Sequence, residues 1–195
     1  MVVAVVSGLF HATAYLDYNR KIISGEIKPN GATWAIWSII AAVSTSSYFV
    51  SSGDFWKNII PLVNVVLCLW TFVLGYKRFK RLSDIEMLAL GLGIVAVGVW
   101  KISTPTYANY LVQVAIAIGF YPTYKMVWKD PESEMARPWW IWSGGYSIMI
   151  IVITLRWKHQ WSDLVYPVNC AILHGLVPII AILSRKFKPQ TRTTF

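Results

Sequence analysis

Charge is scarce in this chain. Only 14% of its 195 residues are charged, against about 25% in an ordinary soluble domain, so a surface wetted on all sides is excluded. Acids are scarcer still, with 9 Asp and Glu against 18 Lys and Arg, and no two carboxylates share one apolar region. Two cysteines and three histidines are too few for a disulfide framework and show no metal-ligand spacing. There is no glycine-rich phosphate loop after a strand. These absences argue against an enzyme, and no cofactor is implied. Cys68 and Cys170 both lie in apolar runs, where a free thiol packs as a small hydrophobe.

What the chain has instead is apolar length. Mean hydropathy is +0.51, and runs long enough to cross about 30 Å of hydrocarbon fall at 2–19, 32–50, 58–76, 85–101, 107–124, 138–155 and 163–184. The expected fold is an all-α integral membrane protein with seven transmembrane helices as 3+1+3 parallel repeats, one domain over 1–195. The first run lacks a basic leader and a cleavage site, so it reads as a retained span. Of the 18 Lys and Arg, only Lys57, Lys101, Arg156 and Lys158 fall on one side. The rest fall on the other, which the positive-inside rule places in the cytoplasm. The chain is then a multi-pass protein of the cell membrane, N-terminus outside and C-terminus cytoplasmic. Trp34, Trp56, Trp100, Tyr107, Trp128, Trp139 and Trp161 stand near span ends and read as interfacial anchors. The net charge of +9 clusters at those ends and does not indicate nucleic acid.

The spans repeat. Trp34, Ile36, Trp37 and Ser38 return 105 positions later, ungapped, as Trp139, Ile141, Trp142 and Ser143. The same step carries Arg20 to Lys125, Trp56 to Trp161, Asn64 to Asn169 and Lys80-Arg81 to Arg185-Lys186. Three spans end on the opposite side from their start, so a fourth crossing is needed before a second triple inserts in parallel. The expected units are a first triple over 1–84, a linker helix over 85–106, a second triple over 107–187 and a polar tail over 188–195. An amide inside an apolar run is costly without a partner, which makes Asn64 and Asn169 the leading candidates. They either face one central cavity or join helices within the bundle.

A three-plus-one-plus-three chain with an Asn in the third and seventh spans resembles the SWEET, SemiSWEET and PQ-loop transporters over nearly its whole length. The KPNGATWAIW stretch resembles bacterial members of this group more than the sugar-transporting SWEETs. The resemblance implies that Asn64 and Asn169 hydrogen-bond a substrate in the cavity. It places an aromatic residue in the second span of each repeat; here those positions are Tyr48 and Ile153, so the implied clamp is one-sided. It also implies a flexing Pro near the end of the first span of each repeat. Pro122 in FYPTYK fits, whereas Asp17 in YLDYNR stands at the matched position and neither copy has the PQ-loop Gln. Pro61 and Pro167 lie near the Asn residues, one position out of register, as flex points or first-turn prolines. Pro178, deeper in its span, is the stronger kink.

Further polar groups at membrane depth are His11, His174 and Gln113, together with Ser44, Thr45, Ser46 and Ser47. Either His is a substrate or proton site, or a neutral link between helices. Asp130, Glu132 and Glu134 read as a solvated loop. The expected activity is a facilitator or proton-coupled carrier of a small polar neutral solute such as a sugar or vitamin. The alternatives are a non-transporting receptor resembling the KDEL receptor in architecture, and a structural membrane subunit. The expected partners are the lipid bilayer and a small-molecule substrate; whether the chain forms a homo-oligomer stays open.

Overall fold

The computed structural model describes residues 1–27, 31–78 and 81–187. Lys28, Pro29, Lys80 and the tail over 188–195, all used in the sequence reading, lie outside them. The described residues are helical, without strands. Seven long helices follow in order: α1 (Val2–Ile23), α2 (Gly31–Ser52), α3 (Ile59–Gly75), α4 (Asp84–Ile102), α5 (Pro105–Lys129), α6 (Ala136–Leu155) and α7 (Ser162–Phe187). Each expected span is a helix. Five of them, α2, α3 with its preceding 3-10 turn, α4, α6 and α7, are long and apolar enough to cross a membrane. The other two carry more polar residues, such as His11, Asp17 and Asn19 in α1 and Asn109 and Gln113 in α5.

Local chemistry sets the ends. Ser83 and Glu86 form a reciprocal capping box at α4, satisfying two N–H groups that a helix start leaves unpaired. Thr104 caps α5, with Pro105 in its first turn, where the missing N–H costs nothing. The α2 helix gives way at Gly53, whose φ of +56° suits a residue without Cβ. Asp54 then accepts from the Trp56 N–H to start the 3-10 turn Phe55–Asn58.

Six helices pack as a closed ring in the order α1, α3, α2, α5, α7, α6, with α6 returning to α1. The seventh, α4, lies outside the ring against α2 and α5. One end of the ring gathers the C-termini of α1, α3, α5 and α7, with Arg20, Lys21, Lys129, Arg185 and Lys186; it is called the basic end below. At the opposite end, Lys57 Nζ pairs with Asp163 Oδ2 at 2.5 Å, both side chains fully buried. Beside it Arg156 Nε pairs with Asp54 Oδ2 at 2.8 Å. Burial alone would raise the Asp54 pKa, but Arg156 and the Trp56 N–H bring it below the ordinary carboxylate range.

In α7 the burial pattern matches α3 better on a step of 106 than on 105. On a step of 106, the buried residues Lys57, Ile60, Pro61, Cys68, Thr71 and Gly75 correspond to Asp163, Tyr166, Pro167, His174, Val177 and Ala181. All of these are buried except His174, which is partly so. On a step of 105 four of the six fall on the partly exposed Ser162, Val165, Leu176 and Ile180 and two on the buried Tyr166 and Leu173. A rotation of about 100° per helical residue makes that single position decisive. The step of 106 pairs Asn64 with Cys170 in place of Asn169.

Helix contacts are close where glycine permits. An added Cβ at Gly145 would lie 2.9 Å from His11 Nδ1 and 3.2 Å from His11 Cβ. Gly145→Ala is therefore expected to push α6 from α1 and cost about 1–3 kcal/mol as overpacking. Denaturation of the purified variant measures this, and unchanged stability would mean that α1 and α6 separate freely.

Candidate functional site

The two WxxW motifs meet inside the ring. Trp34 lies 5.1 Å from Trp37, Trp37 6.1 Å from Trp139, Trp139 5.0 Å from Trp142, and Trp142 6.3 Å from Trp34, centroid to centroid. The four indoles close a square, mostly edge to face, the arrangement favoured by the ring quadrupole. Trp34, Trp139 and Trp142 are buried and Trp37 partly so. This corrects the reading of Trp34 and Trp139 as interfacial anchors. Both lie near helix starts, but they point into the bundle. The anchor reading fits Trp128 and Trp161, which are exposed.

Above the square lies a cavity lined by Trp34, Trp37, Trp139 and Trp142, with Tyr15, Phe120, Tyr146, Tyr166, Ile40, Ala41, Ile116, Ser44, Asn64, Cys68, Cys170 and His174. No Asp, Glu, Lys or Arg is among these residues. The pocket spans about 500 Å³, part of which opens to solvent. The site is a narrow slot between aromatic faces.

Polar groups are few and placed. Asn64 Oδ1 accepts from the Tyr15 hydroxyl at 2.6 Å and lies 3.5 Å from His11 Nε2. With its oxygen engaged, the Asn64 amide presents its NH₂ donors. His174 Nδ1 lies 2.7 Å from the Cys170 carbonyl; a carbonyl only accepts, so Nδ1 carries the proton and Nε2 of the neutral ring is an acceptor. Trp142 Nε1 is buried without a partner. An unmet buried donor costs about 1–3 kcal/mol, a cost that an acceptor in the slot would remove. The arrangement offers flat apolar walls with a few donors and acceptors, suited to a neutral solute with a flat face.

The other candidates divide. Asn169 does not line this cavity. Its Nδ2 donates to Gln113 O at 3.1 Å and Gln113 Oε1 at 3.2 Å, and both residues line a groove bordered by α4, α5 and α7. Gln113 Nε2 in turn donates to Ser44 Oγ at 3.2 Å, so this amide chain supports the cavity wall from behind. Tyr48 and Ile153 are likewise off the cavity, in a core cluster with Tyr146 and Met149. The Tyr48 hydroxyl donates to the Asp163 carbonyl at 3.1 Å, which fixes it toward the ion-pair end. His11 is fully buried behind the wall, its ring 4.9 Å from Tyr146. Of the remaining serine-run residues, Thr45 donates to the Pro61 carbonyl at 3.1 Å and Ser47 to the Ser44 carbonyl at 3.1 Å, both as packing.

Pro61 sits in the first turn of α3, where it breaks no bond, whereas Pro122, Pro167 and Pro178 are interior to their helices. Sequence reasoning missed the tryptophan square, although its signal, the repeated WxxW, was in view. It also missed the hydrogen bonds of Glu134, which is half-buried in the loop between α5 and α6. Glu134 Oε1 accepts from the Tyr18 hydroxyl and Oε2 from Trp139 Nε1, both at 3.1 Å.

No family model matches the chain, and neither the curated proteins nor the solved structures contain a match.

Proposed function

We propose that the chain is a membrane carrier for a small neutral solute, with seven spans arranged as two parallel three-helix units joined by α4. The substrate site is the aromatic slot. The observation that carries the reading is the pseudo-symmetric enclosure of an uncharged, aromatic-lined cavity by both copies of WxxW. The ring order supports it: a half-turn that takes α1, α2 and α3 to α5, α6 and α7 maps every packed pair of the ring onto another. The two units would rock about the slot in alternating access. The basic end is the cytoplasmic side, by the positive-inside rule, and the tryptophan square is its gate. A receptor for a peptide carboxylate would want Arg or Lys in the cavity, and none lines this one.

In this reading Asn64 donates to the solute and His174 Nε2 accepts from it, while Asn169 and Gln113 brace the wall. The structural context changes what Asn64→Ala should do. Tyr15 is buried, so losing its acceptor strands a hydroxyl at a cost of about 1–3 kcal/mol. A Tyr15→Phe/Asn64→Ala double variant removes both partners and should recover most of that stability. Its affinity should stay down by about threefold to tenfold per lost substrate bond. A thermal-shift screen over sugars, amino acids and vitamins would find a ligand, and titration of the variants follows. A double variant that is stable and binds normally returns Asn64 to helix packing.

A further inference from the structure

The lining of the slot limits what can fill it. Eight of its sixteen residues are Trp, Tyr or Phe, so a bound molecule meets mostly ring faces and edges. Most of the polar atoms among them are spent on one another. The Tyr15 hydroxyl donates to Asn64 Oδ1 at 2.6 Å, and the Tyr146 and Tyr166 hydroxyls pair at 3.2 Å. Ser44 Oγ accepts from Gln113 at 3.2 Å, and Cys68 Sγ accepts from Ser38 at 3.6 Å. These bonds leave the Asn64 Nδ2 hydrogens as donors, together with the unpartnered indole N–H groups of Trp37 and Trp142. They leave His174 Nε2 as an acceptor, because Nδ1 holds the ring proton against the Cys170 carbonyl. Asn64 stands on α3 and His174 on α7, one on each proposed unit.

We propose that the slot takes a flat, neutral lactam ring of the kind found in a pyrimidine base. Its faces lie against the aromatic walls, its carbonyl accepts from Asn64 Nδ2, and its ring N–H donates to His174 Nε2. The inference rests on the carrier reading for the slot being a substrate site, and it narrows the neutral solute to one chemical class.

Other neutral solutes leave groups unmet. A sugar carries hydroxyls around its whole rim, and those that face ring walls find no partner. Each stranded hydroxyl lowers affinity by a factor of about five to a hundred. A plain aromatic hydrocarbon fills the space but covers the Asn64 donor and the His174 acceptor without pairing them, at a similar cost. A charged ring would enter a lining that holds no Asp, Glu, Lys or Arg, and a charge without a partner there is costlier still. The lactam fits on each count. Its carbonyl has two lone pairs for the donors, and its N–H meets the imidazole nitrogen. Conjugation keeps the ring flat, and a flat heterocycle stacks on Trp and Tyr faces as nucleic-acid bases do. Because Asn64 and His174 belong to different units, a ligand held by both ties the two units together.

Uracil is the probe, measured by equilibrium dialysis against the purified full chain in nanodiscs. Dimethyluracil, methylated at both ring nitrogens, keeps the flat face and the carbonyls but has no N–H to donate. Uracil should bind, dimethyluracil should bind about threefold to tenfold more weakly, and glucose should not displace either. His174→Phe keeps a ring in the wall and removes the acceptor, so in that variant the two ligands should bind equally. A mere clash of the methyl groups would persist there. The Tyr15→Phe/Asn64→Ala double variant should weaken both ligands alike, since both keep their carbonyls. Should His174→Phe fail to fold, the comparison of ligands on the wild type still decides. No uracil binding to the wild type, dimethyluracil bound as tightly as uracil, or displacement of uracil by glucose overturns the lactam class. Discrimination that survives His174→Phe overturns the assignment of the acceptor. Uracil that binds but does not enter vesicles would overturn the carrier reading alone, and uptake of a sugar without uracil binding would overturn the lactam class alone.

Discussion

Lys57→Met should be the most damaging single change at the end opposite the basic one, costing about 3–5 kcal/mol. Lys57 and Asp163 are both fully buried at 2.5 Å, and Asp163 Oδ1 already has no hydrogen-bond partner. Removing the ammonium leaves an uncompensated carboxylate inside the protein. A buried pair is not itself a large net source of stability, because desolvation offsets most of the attraction. The Lys57→Met/Asp163→Leu double variant should therefore recover much of the loss. The pair joins the start of α3 to the start of α7, one element from each proposed unit, and Asp54 with Arg156 makes a second such link. The double variant is expected to be stable yet looser at this end, with faster labelling of an engineered thiol there. Equal stability of wild type and Lys57→Met in denaturation would show that Asp163 is not isolated from water.

Trp142→Ala is expected to have a comparable effect by a different route. Trp142 is buried and contacts Tyr15, Trp139 and His174 with centroid distances of 4.9, 5.0 and 5.8 Å. Truncating a buried Trp costs about 3–5 kcal/mol through lost contacts and the space left behind. It also breaks the square, so a variant that folds should leak. Trp142→Phe separates the two effects: it keeps a ring in the wall and loses the unpartnered N–H. It should fold nearly as well as wild type and bind the solute more weakly. A Trp142→Phe variant with unchanged affinity would mean that this N–H does not face the ligand.

Much of the architecture was legible because it is written locally. Apolar length located all seven helices; the Ser83–Glu86 capping box that starts α4 went unread. Facing was harder to read. Trp34 and Trp139 stand within a few residues of helix starts, and nearness to an end says nothing about which side of a helix a residue occupies. The step of 105 fitted Asn64 to Asn169 by residue type. Matching residue type does not fix facing: one position along a helix turns a side chain by about 100°, and Asn169 lies off the cavity, on Gln113. The Lys57–Asp163 pair was invisible because its partners are joined only by the ring closing. Glu134 reads as solvated because loop charges usually are; its half-buried place depends on Tyr18 arriving from the far end of the chain.

The central claim is that a neutral solute passes through the tryptophan-floored slot. The direct measurement is uptake of labelled sugars, amino acids and vitamins into sealed vesicles containing the purified protein. Wild type is compared with Trp142→Phe, with the Tyr15→Phe/Asn64→Ala double variant, and with protein-free vesicles. The account predicts that at least one neutral solute enters faster than in protein-free vesicles, and that both variants slow it while remaining folded. Uptake equal to protein-free vesicles for every solute, or uptake that neither variant alters, would contradict it.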